Sequence, residues 1–148
     1  MNIVRTDNNN NDLKNLINEL DAYLKVTDGS DHDFYNQFNG LEKIKNAVVL
    51  YIDDEPIGCG AFREFNKEAV EIKRMYVKPS QRGTGAANRI LKELEDWAKE
   101  TGFKKSILET GERQVEAVKF YHKLGYERIP NYGQYTQMDN SCCFQKTL

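Results

Sequence analysis

Nothing in this chain is apolar or basic enough to point to a membrane or a nucleic acid. No apolar run approaches the roughly 18 residues that cross a bilayer. The N-terminus, MNIVRTDNNN, lacks the basic-then-apolar pattern of an export signal. Lys and Arg together number 21 against 23 Asp and Glu, so there is no general attraction to nucleic acid or to an anionic surface. The expectation from these absences is a cytoplasmic protein with no membrane or nucleic-acid partner. Cysteine and histidine are scarce: Cys59, Cys142 and Cys143 show no CxxC spacing, and only His32 and His122 accompany them, which is not a metal framework. Packing is the ordinary role of such cysteines. Cys59, between Gly58 and Gly60 in an expected strand, is the one candidate nucleophile, and no histidine lies near it in sequence. There is no internal repeat and no linker-like stretch, and 148 residues suit a single domain, 1–148.

What is present is periodic. Leu13, Leu16, Ile17, Leu20, Tyr23 and Leu24 recur at helical spacing, predicting a helix over residues 12–25 with one core-facing stripe, before which Asn8 to Asn11 reads as a solvated turn. The stretch from Asp28 to Leu41 carries Phe34, Tyr35 and Phe38 and suggests a short second helix. Residues 47–52, 57–65 and 69–77 read as three consecutive antiparallel strands, after an edge strand at 3–5. Simple alternation along the third puts Glu71 on one face with Met75 and Val77. A helix follows from Ala87 to Gly102, then a strand at 105–109, a helix at 112–124, and strands at 126–129 and 141–147 around a tyrosine-containing loop. That order predicts an α+β fold.

The stretch RMYVKPSQRGTGAAN, from Arg74 to Asn88, runs from a strand through a proline and two glycines into a helix. Free amides at a helix start carry partial positive charge, and glycines let a phosphate approach the backbone. By spacing alone Gly83 and Gly85 serve equally well as a plain helix start. No lysine followed by Ser or Thr closes the turn, which excludes the Walker loop. The preceding hairpin strands argue against a dinucleotide fold.

VKPSQRGTGAA, the amphipathic helix after it, then ILET and EAVKFYHKLGYERI, together resemble the GNAT superfamily of acetyl-CoA-dependent N-acetyltransferases. Both motifs stand in the family's order, and residues from about 47 to 148 follow its succession of strands and helices. The resemblance implies a central mixed, mostly antiparallel sheet with helices on both faces, acetyl-CoA as co-substrate, and a small-molecule or peptide amine as acceptor. Arg82, Gly85 and Ala87 fill the coenzyme motif, so the amides of Arg82, Gly83, Thr84, Gly85, Ala86 and Ala87 are expected to cradle the pyrophosphate. Arg82 either adds a contact to phosphate or stands as a solvated cation beside the turn. Met75, Tyr76 and Val77 would offer main-chain groups to the pantetheine arm and acetyl carbonyl. Gln114 stands where the family usually has an asparagine and retains its amide on a longer arm.

The same resemblance puts Tyr121 on the tyrosine that protonates the departing thiolate, although its helical spacing also fits a core residue. A lysine-like amine must lose a proton, at about 4 to 5 kcal/mol at neutral pH, before it can attack. Glu71 is the candidate base, with an ion pair to Lys73 or Arg63 as the competing role. Tyr35, Phe38, Tyr132 and Tyr135 are candidate acceptor-lining residues. A homodimer, common in the family, is not readable in the sequence. The alternative to an enzyme is a non-catalytic acyl-CoA sensor or interaction module, which loss of both Glu71 and Tyr121 would favour. Both are present.

Overall fold

The computed structural model describes residues 1–28 and 43–148. The short helix expected between Asp28 and Leu41, with the candidate acceptor residues Tyr35 and Phe38, lies outside the described residues. In chain order the elements are β1 (Asn2–Thr6), α1 (Asn11–Asp28), β2 (Asn46–Ile52), β3 (Glu55–Glu64), β4 (Ala69–Val77), α2 (Ala86–Glu100), β5 (Lys105–Gly111), α3 (Val115–Lys123), β6 (Glu127–Ile129) and β7 (Ser141–Thr147). These seven strands form one mixed sheet in the order β1-β2-β3-β4-β5-β7-β6. Among them only β4 and β5 pair in parallel, and the other neighbours are antiparallel.

The continuous apolar run of β2 is explained by cover on both sides, which removes the need for a polar face. Ala47 and Val49, with Cys59 and Ala61 of β3, pack under the α1 stripe Leu13, Leu16, Ile17 and Leu20. Val48 and Leu50, with Ile57 and Phe62, pack under Ile90, Leu91 and Leu94 of α2, and Tyr121 of α3 joins that layer. One of the asparagines expected in a solvated turn is a helix cap, since Asn10 Oδ1 accepts from the Leu13 amide at 2.9 Å at the start of α1. Asp53 and Asp54, both at positive φ (51° and 66°), make the two-residue turn between β2 and β3. The helix expected from Glu112 starts three residues later. The Glu112 amide is taken by the Asn140 carbonyl at 2.8 Å, and the Gln114 amide closes a turn on Gly111.

Two irregularities in β4 shape everything around the site. Cys59 faces Tyr76 and Ala61 faces Lys73, so Arg74 and Met75 together stand opposite the single residue Gly60. This is a β-bulge, with Arg74 at φ 60°. The extra residue reverses the alternation. Met75 and Val77 join the α2 layer, whereas Tyr76 packs on the α1 side and Arg74 reaches Asp21 of α1. Glu71, paired with Arg63 on the α1 side, therefore does not share a face with Met75 and Val77 as simple alternation predicts. Gly60 is required by this crowding: a Cβ there would lie 2.6 to 2.8 Å from Met75 Sδ, Ile90 Cγ2 and Leu94 Cδ1. The Cys59 thiol donates to the Arg74 carbonyl at 3.4 Å, inside the bulge.

The second irregularity is a parting of strands. β4 and β5 pair only from Ala69–Lys105 to Glu71–Ile107, after which β5 continues with β7 alone. From Ile72 onward the β5-facing edge of β4 has no strand partner among the described residues, and a wedge opens between the two strands.

Candidate active site

The glycine turn has the backbone geometry of an anion cradle. Gly83 and Gly85 have φ of 77° and 86°, a region that side chains with a Cβ rarely enter, and space around both is open. Gly85 is the N-cap of α2 and no side chain of the described residues caps it, so the first amides of a 15-residue helix have no side-chain partner among them. The turn is held in place rather than loose. Arg82 Nε donates to the Val77 carbonyl at 3.1 Å, its guanidinium lies 5.5 Å over the Tyr23 ring, and Thr84 Oγ1 donates to the Gln81 carbonyl at 2.6 Å. Arg82 is thus exposed but tethered, which differs from a freely solvated cation. Thr84 turns its hydroxyl back into the turn and does not line the groove beside it.

That groove encloses about 580 Å³ and runs from Gly83, Gly85, Ala86 and Ala87 along Met75, Tyr76 and Val77 to α3. Tyr76 sends its side chain away, donating to Glu19 of α1 at 3.1 Å, which leaves its main chain facing the groove. A second, smaller cavity of about 120 Å³ fills the wedge between β4 and β5 and includes Glu71, Lys73, Glu109 and Tyr135 in its wall. Groove and cavity meet where Leu20, Met75, Gln114, Ala117 and Tyr121 line both.

Tyr121 is nine-tenths buried, and burial alone pushes its phenol above the ordinary value. No hydrogen bond to its hydroxyl is made among the described residues. Its ring is clamped edge-on by Phe120 at 5.2 Å and Tyr126 at 5.7 Å. Tyr126 is itself fixed, donating to Glu95 Oε2 at 2.9 Å and sharing a 2.7 Å hydrogen bond with Ser106, while Lys146 holds the other Glu95 oxygen at 3.1 Å.

Glu71 is 1% exposed and sits at the apex of the wedge. Arg63 Nε donates to its Oε1 at 2.7 Å, the Tyr132 hydroxyl donates to its Oε2 at 2.6 Å, and Lys73 Nζ stands 3.7 Å away. Of the aromatic residues expected to line an acceptor pocket, Tyr135 is in the cavity wall, but Tyr132 is not. Tyr132 packs between Phe65 and Tyr135 and approaches Glu71 from behind, so it orients the carboxylate and has no face toward the cavity. Cys59 lines neither space, and burial pushes its thiol up to about 12, consistent with packing.

Several lining residues escape a reading of the sequence. Leu20, Leu24 and Tyr23 belong to a helix whose stripe predicts only core contacts. Glu109 was legible as a strand residue, but only the parting of β4 and β5 turns it toward a cavity. Phe120 and Lys123 border the groove because α3 runs alongside it.

The buried phenols and thiols set an alkaline limit on stability. The pKa values of Tyr121, Tyr126, Tyr132 and Tyr135 are raised by burial from the ordinary 10.0, and those of Cys59 and Cys143 from 9.0, to about 12 and about 11 respectively. Above these ordinary values the unfolded chain releases protons that the folded chain keeps. Stability is therefore unaffected by these groups near neutrality and falls as pH rises past about 9, by about 1.36 kcal/mol per pH unit for each proton. Lys73, shifted down chiefly by burial, contributes one proton of opposite sign. Thermal unfolding followed from pH 7 to 11 should give a flat midpoint to about pH 8.5 and a steep fall beyond pH 10. A flat profile through pH 11 would contradict the burial of these rings.

The family model for the acetyltransferase (GNAT) family matches residues 13–126. The chain belongs to the GNAT family. It is 30% identical over 135 residues to the IAA acetyltransferase of Azospirillum brasilense, covering 90% of this chain and 88% of that one. Among solved structures, a putative acyl-CoA N-acyltransferase from Klebsiella pneumoniae superposes with a TM-score of 0.83 at 26% identity, covering 99% of this chain and 97% of that one. The PaiA N-acetyltransferase of Thermoplasma acidophilum, solved with coenzyme A, shares the fold at a TM-score of 0.73 and 18% identity over the whole of both chains. As a GNAT protein the chain is an acyltransferase with acyl-CoA as co-substrate, and GNAT enzymes act on amine acceptors. No helix among the described residues is long and apolar enough to cross a membrane.

Proposed function

We propose that the chain, as a one-domain enzyme, transfers an acetyl group from acetyl-CoA to a primary amine by direct attack within a ternary complex. The observation that carries this reading is the meeting of groove and cavity at Tyr121. One space ends in an uncapped helix start suited to a diphosphate, the other holds carboxylates suited to an amine, and among the described residues one phenol, Tyr121, faces both.

The amides from Gly83 to Ala87 hold the pyrophosphate, and the unpaired edge of β4 at Met75, Tyr76 and Val77 receives the pantetheine arm and polarises the acetyl carbonyl. Gln114, at the junction, lies within reach of the same region. The amine nitrogen bonds to the carbonyl carbon, the carbon–sulfur bond breaks, and Tyr121 gives its proton to the sulfur. The amine's proton passes to Glu71 through a bridging water. Each oxygen of that carboxylate already accepts one hydrogen bond, and each keeps a second lone-pair site. Tyr135 packs against the acceptor. Retention of both Glu71 and Tyr121 on the cavity wall favours turnover over a sensor role. With no membrane helix among the described residues and no excess of positive charge, the cytoplasm is the expected compartment.

Free-thiol release from acetyl-CoA over an amine panel tests the proposal. Release with at least one amine, and initial-rate lines that intersect when both substrates are varied, are the expected results. Tight acetyl-CoA binding with no release for any amine would replace the enzyme by a sensor. Parallel lines would indicate an acyl-enzyme intermediate instead.

A further inference from the structure

Lys73 stands in the wall of the wedge cavity, ion-paired with Glu71 yet making no hydrogen bond to it. Its side chain is 9% exposed, and its ammonium lies 3.7 Å from Glu71 Oε1, beyond hydrogen-bond reach. No hydrogen bond from Nζ is made among the described residues. A lysine serving only to neutralise Glu71 would donate to it, as Arg63 does at 2.7 Å. Instead Arg63 and Tyr132 each take one of the Glu71 oxygens, and Lys73 stops short, along the cavity. Its ammonium is ion-paired with Glu71 but keeps its N–H donors unused among the described residues, so an anionic group entering the cavity can accept from them, and desolvation is the largest influence on this amine, lowering its pKa.

The surrounding charges narrow the ligand. Among the described residues the cavity wall carries Lys73 and Arg74 against Glu71 and Glu109, two of each sign. A ligand bearing both an ammonium and an anion leaves this set neutral, whereas a polyamine adds several uncompensated positive charges. At about 120 Å³ the cavity is smaller than the roughly 150 Å³ void that holds a benzene. The reacting end of the acceptor is therefore compact.

We infer that the acceptor is a small amine that also carries a carboxylate, of the amino-acid class, and that Lys73 binds the carboxylate from the wall of the wedge cavity. This rests on the acetyltransfer reading above. The ammonium of Lys73 donates to the carboxylate as a charge-assisted pair. The acceptor's amine then points toward Tyr121 and the thioester, with Glu71 and Glu109 within the same cavity.

The test compares free amino acids with their carboxamides, and with spermidine, in the thiol-release assay on the full chain. The amide keeps the amine and side chain and lacks the negative charge, so no variant is needed for the first comparison. The best amino acid is expected to exceed its amide at least 100-fold in kcat/KM and to exceed spermidine by more. In Lys73→Met, KM for that amino acid should rise about 30-fold or more with kcat within about threefold, and the preference for acid over amide should vanish. Lys73→Arg should restore part of the preference. Acetylation of amides or spermidine as fast as free amino acids would overturn the inference and leave the acetyltransfer reading intact. An acid preference unchanged in Lys73→Met would overturn the role of Lys73. The absence of thiol release with every amine would remove both readings, while acetyl-CoA binding measured in parallel reports that the protein is folded and the groove is competent.

Discussion

Tyr121→Phe is expected to lower kcat by about 100-fold while leaving acetyl-CoA affinity within about twofold. Delivery of a proton by a positioned side chain contributes roughly 10²- to 10⁴-fold, and the lower end applies where water can reach the thiolate as a substitute donor. The substitution is clean because it removes one atom. The ring keeps its edge contacts with Phe120 and Tyr126, and no hydrogen bond to the hydroxyl is broken among the described residues. Unfolding stability should stay within about 0.5 kcal/mol of the parent. The raised pKa of the phenol has a further consequence: Tyr121 stays protonated up to and beyond pH 10, so no alkaline limb below that pH should originate from it. Measured kcat within threefold of the parent would make Tyr121 a core tyrosine that merely borders the site.

Glu71 should separate into two effects when it is changed in two ways. Glu71→Leu leaves Arg63 and the Tyr132 hydroxyl without their acceptor and Lys73 without its nearest opposite charge. Removal of one member of a buried ion pair costs about 3 to 5 kcal/mol. Arg63 is about a third exposed, so the lower figure applies, and the midpoint should fall by roughly 6 to 12 °C. Glu71→Gln keeps the volume and still accepts from Tyr132, so it should fold. Its kcat at pH 7 is expected to drop about 100-fold, and the deficit should shrink as pH rises, because hydroxide and bulk water then supply the neutral amine that the carboxylate no longer generates. A Glu71→Gln protein with parental kcat would make Glu71 an anchor for Arg63 and Tyr132 only, and would move the base to Glu109 across the cavity.

The residues concerned have places in the fold that were legible in the sequence to different degrees. The glycine turn and the helix after it were readable because their requirements are local. A positive φ needs glycine, and a helix start with nothing to cap it advertises its free amides. Tyr121 came from the second motif through the family resemblance, its helical spacing fitting a core residue equally well, and the structure adds the clamp of Phe120 and Tyr126 that no spacing rule contains. For Glu71 the residue was legible and its face was not. Period-two alternation fails wherever a strand carries an extra residue, and Arg74 is that residue. Tyr132 was a candidate acceptor-lining residue by the family resemblance, whereas its hydroxyl is committed to Glu71 and it does not line the cavity.

By itself the sequence determined the elements and most of their limits, since helical stripes, two-sided apolar strands and glycine stops are properties of neighbours along the chain. It also determined the glycine turn and the helix start behind it, because that geometry is built from consecutive residues; the phosphate role proposed for it came from the resemblance. The tertiary structure decided the shape and the lining of the candidate acceptor cavity. The parting of β4 from β5 after three paired residues opens the wedge, and the bulge at Arg74 sets which side chains face it. Contact between Tyr132 and Glu71, 61 residues apart in the chain, fixes the carboxylate. None of these is encoded by a local preference: each depends on which strand ends lack a partner once the sheet has formed, and on how α1, α2 and α3 then divide the two faces between them.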